Sequence, residues 1–207
     1  MNSDLIKASQ LLPSHGECFY LPGVFTPEEC EQLFLRLRDG VAWKQEPIQI
    51  FGKLRMQPRL TALIGDSDVR YRYSGIEMQA TPWTEALEII RTRIQSVTHE
   101  SFAFALLNYY RDGQDSMGWH SDDERELGLN PTIASVSFGE TRKFVLRRRA
   151  DHANKISIEL ESGSLLLMRG ETQAHWQHAL PKTTRSHLPR INLTFRPWAG
   201  PTSPSKP

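Results

Sequence analysis

Arg190-Ile191-Asn192-Leu193-Thr194-Phe195-Arg196 is the stretch on which the fold class turns. Successive side chains of a β-strand point to opposite faces. The odd positions, Ile191, Leu193 and Phe195, are all apolar. The even positions, Arg190, Asn192, Thr194 and Arg196, are all polar. By itself the segment reads as a strand with a core side and a wet side. Upstream of it, Phe102–Tyr110, Thr132–Phe138, Lys143–Arg148, Lys155–Leu160 and Leu165–Met168 read as further strands, separated by polar or glycine-bearing turns. Many short strands without helices between them predict a sandwich or jelly roll.

Before Phe102 the pattern changes. Thr26 suits an N-cap, Pro27 the first helical position, and Glu28-Glu29 the positive end of a helix dipole. Leu33, Phe34 and Leu37 supply the apolar stripe, and Asp39-Gly40 the stop. Leu87, Ile90, Ile94 and Val97 predict a second helix from Pro82 to about His99. Ile48–Leu54 and Val69–Tyr73 are short strand-like stretches with turns at Gly52 and Gly65-Asp66. The fold class expected is α+β, mainly β. Residues 1–20 read as a flexible leader, 21–100 as helices and short strands packed on the barrel, 101–196 as the core, and 197–207 as a disordered tail rich in Pro and Ser.

Composition narrows the function classes. With 39% hydrophobic and 24% charged residues the chain can bury a core and is not of disordered type. A net charge of +1 leaves any nucleic-acid affinity to local basic patches. Such patches occur at Arg142-Lys143, Arg147-Arg148-Arg149 and Lys182 to His187, where phosphates and plain solvent are equally reasonable partners. No apolar run approaches a membrane span, and the first residues lack a secretion signal. Only Cys18 and Cys30 are present, so a reducing compartment is expected: cytoplasm in a bacterium, nucleus in a eukaryote.

His120 and Asp122 are two apart, so on an extended segment both can chelate one ion. A lone His-x-Asp is a weak signal, because Asp122-Asp123-Glu124-Arg125-Glu126 also reads as a charged surface loop. Asn108 and Tyr110 add an amide and a phenol on one face of the preceding strand. Spacing alone leaves the third ligand open. His175 and His178 are three apart, so a strand sends them to opposite faces and only one reaches the metal. The other is then a packed or solvated histidine. Two imidazoles and a carboxylate can hold Fe(II) with positions left open. Paired arginines can hold a dicarboxylate beside it.

Taken together, these motifs resemble the AlkB family of Fe(II)/2-oxoglutarate dioxygenases, in particular its members that repair alkylated DNA. The likeness runs from about Phe51 to Arg196. It is carried by Gln57-Pro58-Arg59-Leu60-Thr61-Ala62, Tyr71-Arg72-Tyr73-Ser74-Gly75, His120-Ser121-Asp122-Asp123-Glu124, Ile133-Ala134-Ser135-Val136-Ser137-Phe138-Gly139 and Pro189 to Arg196. The resemblance implies a double-stranded β-helix core with a nucleotide-recognition lid. It implies His120, Asp122 and His178 as catalytic iron ligands, and a 2-oxoglutarate site of Asn108, Tyr110, Arg190, Asn192, Thr194 and Arg196. Arg190 would hold the distal carboxylate with help from Tyr110, while Arg196 and Asn108 act nearer the metal. The implied reaction uses O₂, hydroxylates a methyl group on a base nitrogen and releases formaldehyde.

The resemblance also implies a monomer acting on alkylated DNA, with methylated RNA or a protein side chain as the alternative. A methyl on a stacked base cannot reach a metal unless the base is flipped or single-stranded. Tyr71 and Tyr73 would stack on such a base, or else pack a lid sheet. Asp123, with Glu124 beside it, would accept from an exocyclic amino group, which N1-methyladenine and N3-methylcytosine both carry along with a cationic ring. The alternative for Asp123 is a surface acid or a partner of an arginine. Ile50-Phe51-Gly52-Lys53 offers a turn tipped by Phe that could wedge into the stack. That text resembles the duplex-preferring branch. Gln57–Ala62 and Trp119–Asp122 resemble the branch favouring single strands and RNA.

Overall fold

In a computed structural model of the chain, the described residues are 9–50, 53–66, 69–73, 76–185 and 188–200. Side chains of 49, 50, 53, 70–73 and 76–78 lie outside the description. The elements run β1 (Ser9–Gln10), β2 (Glu17–Leu21), α1 (Pro27–Gly40), β3 (Pro47–Ile50), β4 (Lys53–Met56), β5 (Leu60–Gly65), β6 (Arg70–Tyr73), β7 (Ile76–Gln79), α2 (Glu85–Thr98), β8 (Phe104–Tyr110) and β9 (Met117–His120). They continue with a 3₁₀ turn (Arg125–Leu127), β10 (Ile133–Gly139), β11 (Arg142–Arg148), β12 (Lys155–Leu160), β13 (Leu165–Arg169), α3 (Thr172–His175), β14 (Trp176–Leu180) and β15 (Arg190–Arg196).

The first sheet has seven strands in the order β1-β2-β13-β10-β15-β8-β5. The second has four, β12-β11-β14-β9, and β3-β4 and β6-β7 form separate hairpins. The two sheets pack face to face as a jelly roll, and the period of two sorts the larger sheet's residues into two environments. Ala105, Leu107, Ala134, Val136, Phe138, Leu165, Leu167, Ile191, Leu193 and Phe195 face α1 and α2 in one apolar cluster. Phe104, Leu106, Ile133, Leu166 and Met168 face the four-stranded sheet, meeting Phe144, Leu146, Trp176 and Leu180. Each fully buried large apolar side chain contributes about 1.5–3 kcal/mol. The helices therefore form a third layer on the outside of the larger sheet.

α1 starts as its sequence predicts. Thr26 Oγ1 accepts from Glu29 N–H, and the Glu29 carboxylate accepts from Thr26 N–H, a complete capping box. α2 begins at Glu85 rather than Pro82, with Thr84 still extended at its N-cap, and ends at His99 in the left-handed region. Among the described residues no helix is long and apolar enough to cross a membrane.

Several expectations need correcting. Of the expected leader over 1–20, residues 1–8 lie outside the described residues, and Ser9–Gln10 and Glu17–Tyr20 are not flexible, because β1 pairs with β2 and β2 pairs with β13 from Leu21↔Leu165 to Glu17↔Arg169. The core sheet is not confined to 101–196, since β2 and β5 belong to it. Leu60–Gly65 is buried on both faces, so it carries no polar alternation to reveal it. The tail is held at least through Ala199. Trp198 meets Phe104 edge-on at 6.0 Å, and Ala199 N–H donates to the Glu126 carbonyl at 2.9 Å. Residues 201–207 lie outside the described residues. The polar face of β15 is not wet, as all seven of its residues are buried.

Candidate active site

The polar faces of β8, β10 and β15 meet between the two sheets. Register aligns Asn108, Asn192 and Ser137 in one cross-strand row and Tyr110 with Arg190 in the next. Asn192 Nδ2 donates to Ser135 Oγ at 2.8 Å and to the Val136 carbonyl at 2.9 Å. Thr194 Oγ1 donates to Asn192 Oδ1 at 3.2 Å. Asn108, Tyr110, Ser135, Asn192 and Thr194 line one pocket with Met117, His120, Asp122, Phe144, Met168, His178, Leu180, Arg190 and Arg196.

The opposite wall comes from β9 and β14. His120 lies across from His178 and Met117 across from Leu180, which leaves one extra residue on β9. That bulge explains why two positions three apart, Met117 and His120, both line the pocket. The His120 and His178 rings stand 4.2 Å apart between centroids, tilted by 66°. One ligand atom from each of His120, Asp122 and His178 lies within 4.8 Å of the others. The Nδ1 of His120 sits 2.9 Å from the Gly118 carbonyl. With the proton on Nδ1 donated there, Nε2 keeps its lone pair for a metal. Ser121 Oγ donates to the Trp176 carbonyl, and Asp122 N–H to Gln173 Oε1, both at 2.9 Å. The loop that delivers Asp122 is thus fixed to α3 and β14.

Electrostatics favour a cation at this point. Burial, the proximity of His120 and Arg196 push His178 down to about 3, against the pull of Asp122. Burial lowers His120 too, despite Asp122 and the Gly118 carbonyl. Both rings are therefore neutral at pH 7 and can ligate. Burial alone would raise Asp122, but Arg196, His178 and His120 outweigh it and hold the carboxyl at about 2. Its Oδ1 accepts from Arg196 Nη2 at 2.6 Å. Its Oδ2 is buried without a hydrogen-bond partner and lies 3.8 Å from His178 Nε2. A buried carboxylate oxygen is costly unless something positive meets it. Two neutral imidazoles and this oxygen fit an Fe(II) triad with open positions.

A second charge defines the other end. Arg190 is 2% exposed. Its Nη2 donates to Ser137 Oγ at 2.8 Å, while Nε and Nη1 make no hydrogen bond among the described residues. Its guanidinium lies 5.3 Å from the Tyr110 ring centroid. Burial, with Arg142 repelling it, pushes Arg190 down to about 10, and Tyr110 only partly offsets this. A buried cation with idle donors, in the same pocket as a metal triad but on the facing wall, fits the far carboxylate of a dicarboxylate.

Residues 17–196 match the family described as the 2OG-Fe(II) oxygenase superfamily. The chain is 38% identical over 190 residues to human DNA oxidative demethylase ALKBH2, covering 87% of this chain and 72% of that protein. It is an AlkB-family 2OG-Fe(II) oxygenase. Its cofactor set is Fe(II) with 2-oxoglutarate, which the donors above suit. The bovine protein named DNA oxidative demethylase ALKBH2 is 41% identical over 183 residues, covering 84% of this chain. The mouse alpha-ketoglutarate-dependent dioxygenase alkB homolog 3 is 42% identical over 188 residues, covering 86%. This oxygenase spans only 66% and 65% of those two relatives' length. A solved structure of OsALKBH1 shares the fold at 14% identity, with a TM-score of 0.61 over 90% of this chain and 99% of that one.

The remaining candidates of this AlkB-family chain fall in three groups. Phe51 and Gly52 lie outside the described residues. Lys53 opens β4, and Tyr71 and Tyr73 lie on β6, without described side chains. Asp123 is ion-paired with Arg149, the arginine alternative for that acid, and Glu124 caps the 3₁₀ turn. The basic patch at Arg142 dissolves. That side chain is 2% exposed and donates to the carbonyls of Asp112, Asp115 and Pro181. Arg147 instead lies 4.2 Å over the Trp119 ring.

Three positions escaped the sequence reading. Arg59 Nε donates to Asn108 Oδ1 at 2.7 Å, so the Asn108 amide is oriented with its NH₂ left for the pocket. Ser137 and Ser135 brace Arg190 and Asn192. The alternation within Ile133–Gly139 puts both serines on one face, a signal that was available. Arg59 had none beyond its place in a family motif.

Proposed function

We propose that the chain is an oxidative DNA demethylase acting on N1-methyladenine and N3-methylcytosine. The observation that carries this reading is one pocket with a His-Asp-His triad at one point and a buried, under-used arginine on the facing wall. The names of the ALKBH2 relatives support DNA as substrate.

In this reading His120, Asp122 and His178 hold the iron. When bound, Fe(II) with 2-oxoglutarate and O₂ supplies an oxidant that hydroxylates the methyl while the keto acid becomes succinate and CO₂. The chain's own residues do the rest. Arg190 and Tyr110 fix the distal carboxylate, while Asn108, Asn192, Thr194 and Arg196 set the keto acid's orientation. Asp122 keeps its negative charge because Arg196 pairs with Oδ1, which leaves Oδ2 free for the metal. Met117, Phe144, Met168 and Leu180 keep the site dry. The hydroxymethyl product on nitrogen then collapses to formaldehyde and the repaired base.

For substrate, Tyr71 and Tyr73 would stack on the flipped base, with Phe51-Gly52-Lys53 as wedge. Asp123, oriented by Arg149, and Glu124 would favour a cationic base with an amino group. The test is formaldehyde release from matched N1-methyladenine and N3-methylcytosine in duplex DNA, single-stranded DNA and RNA, with and without Fe(II). Iron-dependent product from either DNA form is expected. Product from RNA alone would overturn the DNA assignment, and none from any would overturn the demethylase reading.

A further inference from the structure

His175, the histidine left out of the iron triad, has an environment of its own. It sits at the end of α3, one turn after Glu171, with its Nε2 3.8 Å from a Glu171 carboxylate oxygen. The ring of His15 lies against it, 4.6 Å between centroids and tilted by 36°. One ligand atom from each of His15, Glu171 and His175 lies within 4.8 Å of the other two. This is the same spacing limit that the iron triad meets. We propose that these three residues form a second metal site, on the outer surface, for a divalent cation of the zinc type.

The backbone around them is held by close packing and hydrogen bonds. His15 occupies the left-handed region at φ 56°, unusual for a residue with a Cβ. The next residue, Gly16, has φ 121°, and a Cβ there would sit 2.4 Å from Thr172 Oγ1. That close approach lets the turn before β2 lie directly on α3. Thr172 Oγ1 accepts from Glu17 N–H at 2.9 Å, and Trp176 Nε1 donates to the Ser14 carbonyl at 3.2 Å. Thr172 and Trp176 are almost fully buried. Segments more than 150 residues apart in sequence are therefore clamped on both sides of His15, while the three liganding side chains stay accessible.

The chemistry selects the ion. Two imidazoles and one carboxylate without sulfur suit Zn²⁺, and hard cations such as Mg²⁺ prefer all-oxygen cages. Tetrahedral zinc wants donors about 3.4 Å apart, given bonds of about 2.1 Å. Glu171 and His175 side chains are 59% and 41% exposed, so rotating them inward meets little resistance. Water takes the fourth position. Binding would tie the β1–β2 turn to α3, whose Gln173 holds the Asp122 amide. The site needs nothing from the demethylase reading.

The test is zinc stoichiometry by equilibrium dialysis on metal-stripped protein. Wild type should take up two Zn²⁺ per chain, one in each triad. His15→Asn keeps a residue that tolerates the left-handed region but removes the imidazole. It should bind one, and Glu171→Gln should weaken the same event by at least the roughly 10–100-fold known for outer-shell losses. Far-UV circular dichroism checks that both variants are folded. His120→Ala should also bind one, and its combination with His15→Asn none. Wild-type uptake of a single zinc, or two zincs retained by His15→Asn at unchanged affinity, would overturn the proposal.

Discussion

Arg190 offers a test in which stability and function move in opposite directions. Its guanidinium is buried, held at about 10 rather than 12.5, and uses one nitrogen of three for a hydrogen bond. That depression corresponds to roughly 3 kcal/mol of penalty on the charged form. Because the folded value is the lower one, the penalty is present at every pH below about 10 and fades only above it. Arg190→Met removes the charge and also the Ser137 hydrogen bond, worth about 1 kcal/mol. About 2 kcal/mol should remain, a rise in Tm of roughly 4–8 °C for a chain of this size without cosubstrate. The variant should lose the further stabilisation that 2-oxoglutarate gives to wild type. Arg190→Lys keeps a charge but not the two-pronged geometry. Losing one charge-assisted hydrogen bond of about 1.5–3 kcal/mol should raise the KM for 2-oxoglutarate by roughly 10–150-fold. The assays are differential scanning fluorimetry with and without 2-oxoglutarate, and succinate formation against its concentration. A lower Tm for cosubstrate-free Arg190→Met would refute the burial penalty, and a KM within twofold of wild type for Arg190→Lys would refute the assignment of Arg190 as a carboxylate receptor.

Other perturbations follow from the same geometry. Asp122→Ala should abolish iron binding, read by metal analysis, and cost about 3–5 kcal/mol in chemical denaturation because Arg196 loses its buried carboxylate. Arg59→Met frees the Asn108 amide to turn and removes the bond to the Ser116 carbonyl, so the KM for 2-oxoglutarate should rise several-fold; an unchanged KM would show that Asn108 needs no brace. Asp115 is 5% exposed and takes three hydrogen bonds from Arg111, which outweigh burial and lower its carboxyl. Its stabilisation is present above the ordinary carboxylate range and is lost as pH falls through the depressed value. Asp115→Asn should therefore cost ~1–2 kcal/mol at pH 7, and the gap to wild type should close below about pH 4 in urea melts. Phe51→Ala should cost more activity on duplex than on single-stranded DNA, and equal losses would remove the wedge.

The β15 strand shows what sequence could and could not give. Its alternation announced two faces, and both were correctly divided. Nothing local says that the polar face is indoors, because burial depends on the second sheet, which is far away in sequence. The same limit hid β2 and β5. β5 is buried on both faces, and β2 is a mixed five-residue run, so neither shows a clean period of two. His120 and Asp122 were legible as a pair, while the choice between His175 and His178 was not. Strand parity cannot make that choice, because His175 ends α3 while only His178 lies on β14. The pairing of His178 with His120 across β14 and β9 is what brings that histidine to His120 and Asp122. The Arg59–Asn108 and Gln173–Asp122 contacts join residues 49 and 51 positions apart and have no signature in either segment.

β15 carries a consequence for how reliably the chain reaches its native arrangement. Were it to shift by a single residue against β8 and β10, guanidinium groups would be driven among Phe25, Leu87 and Ile90, and phenylalanine would fill the catalytic pocket. The groups proposed to bind the cosubstrate would thereby also act as a proofreading device for strand assembly. Mutations that bleach their charge to gain robustness would loosen that check, which gives the chain a reason apart from binding to keep its most uncomfortable residues.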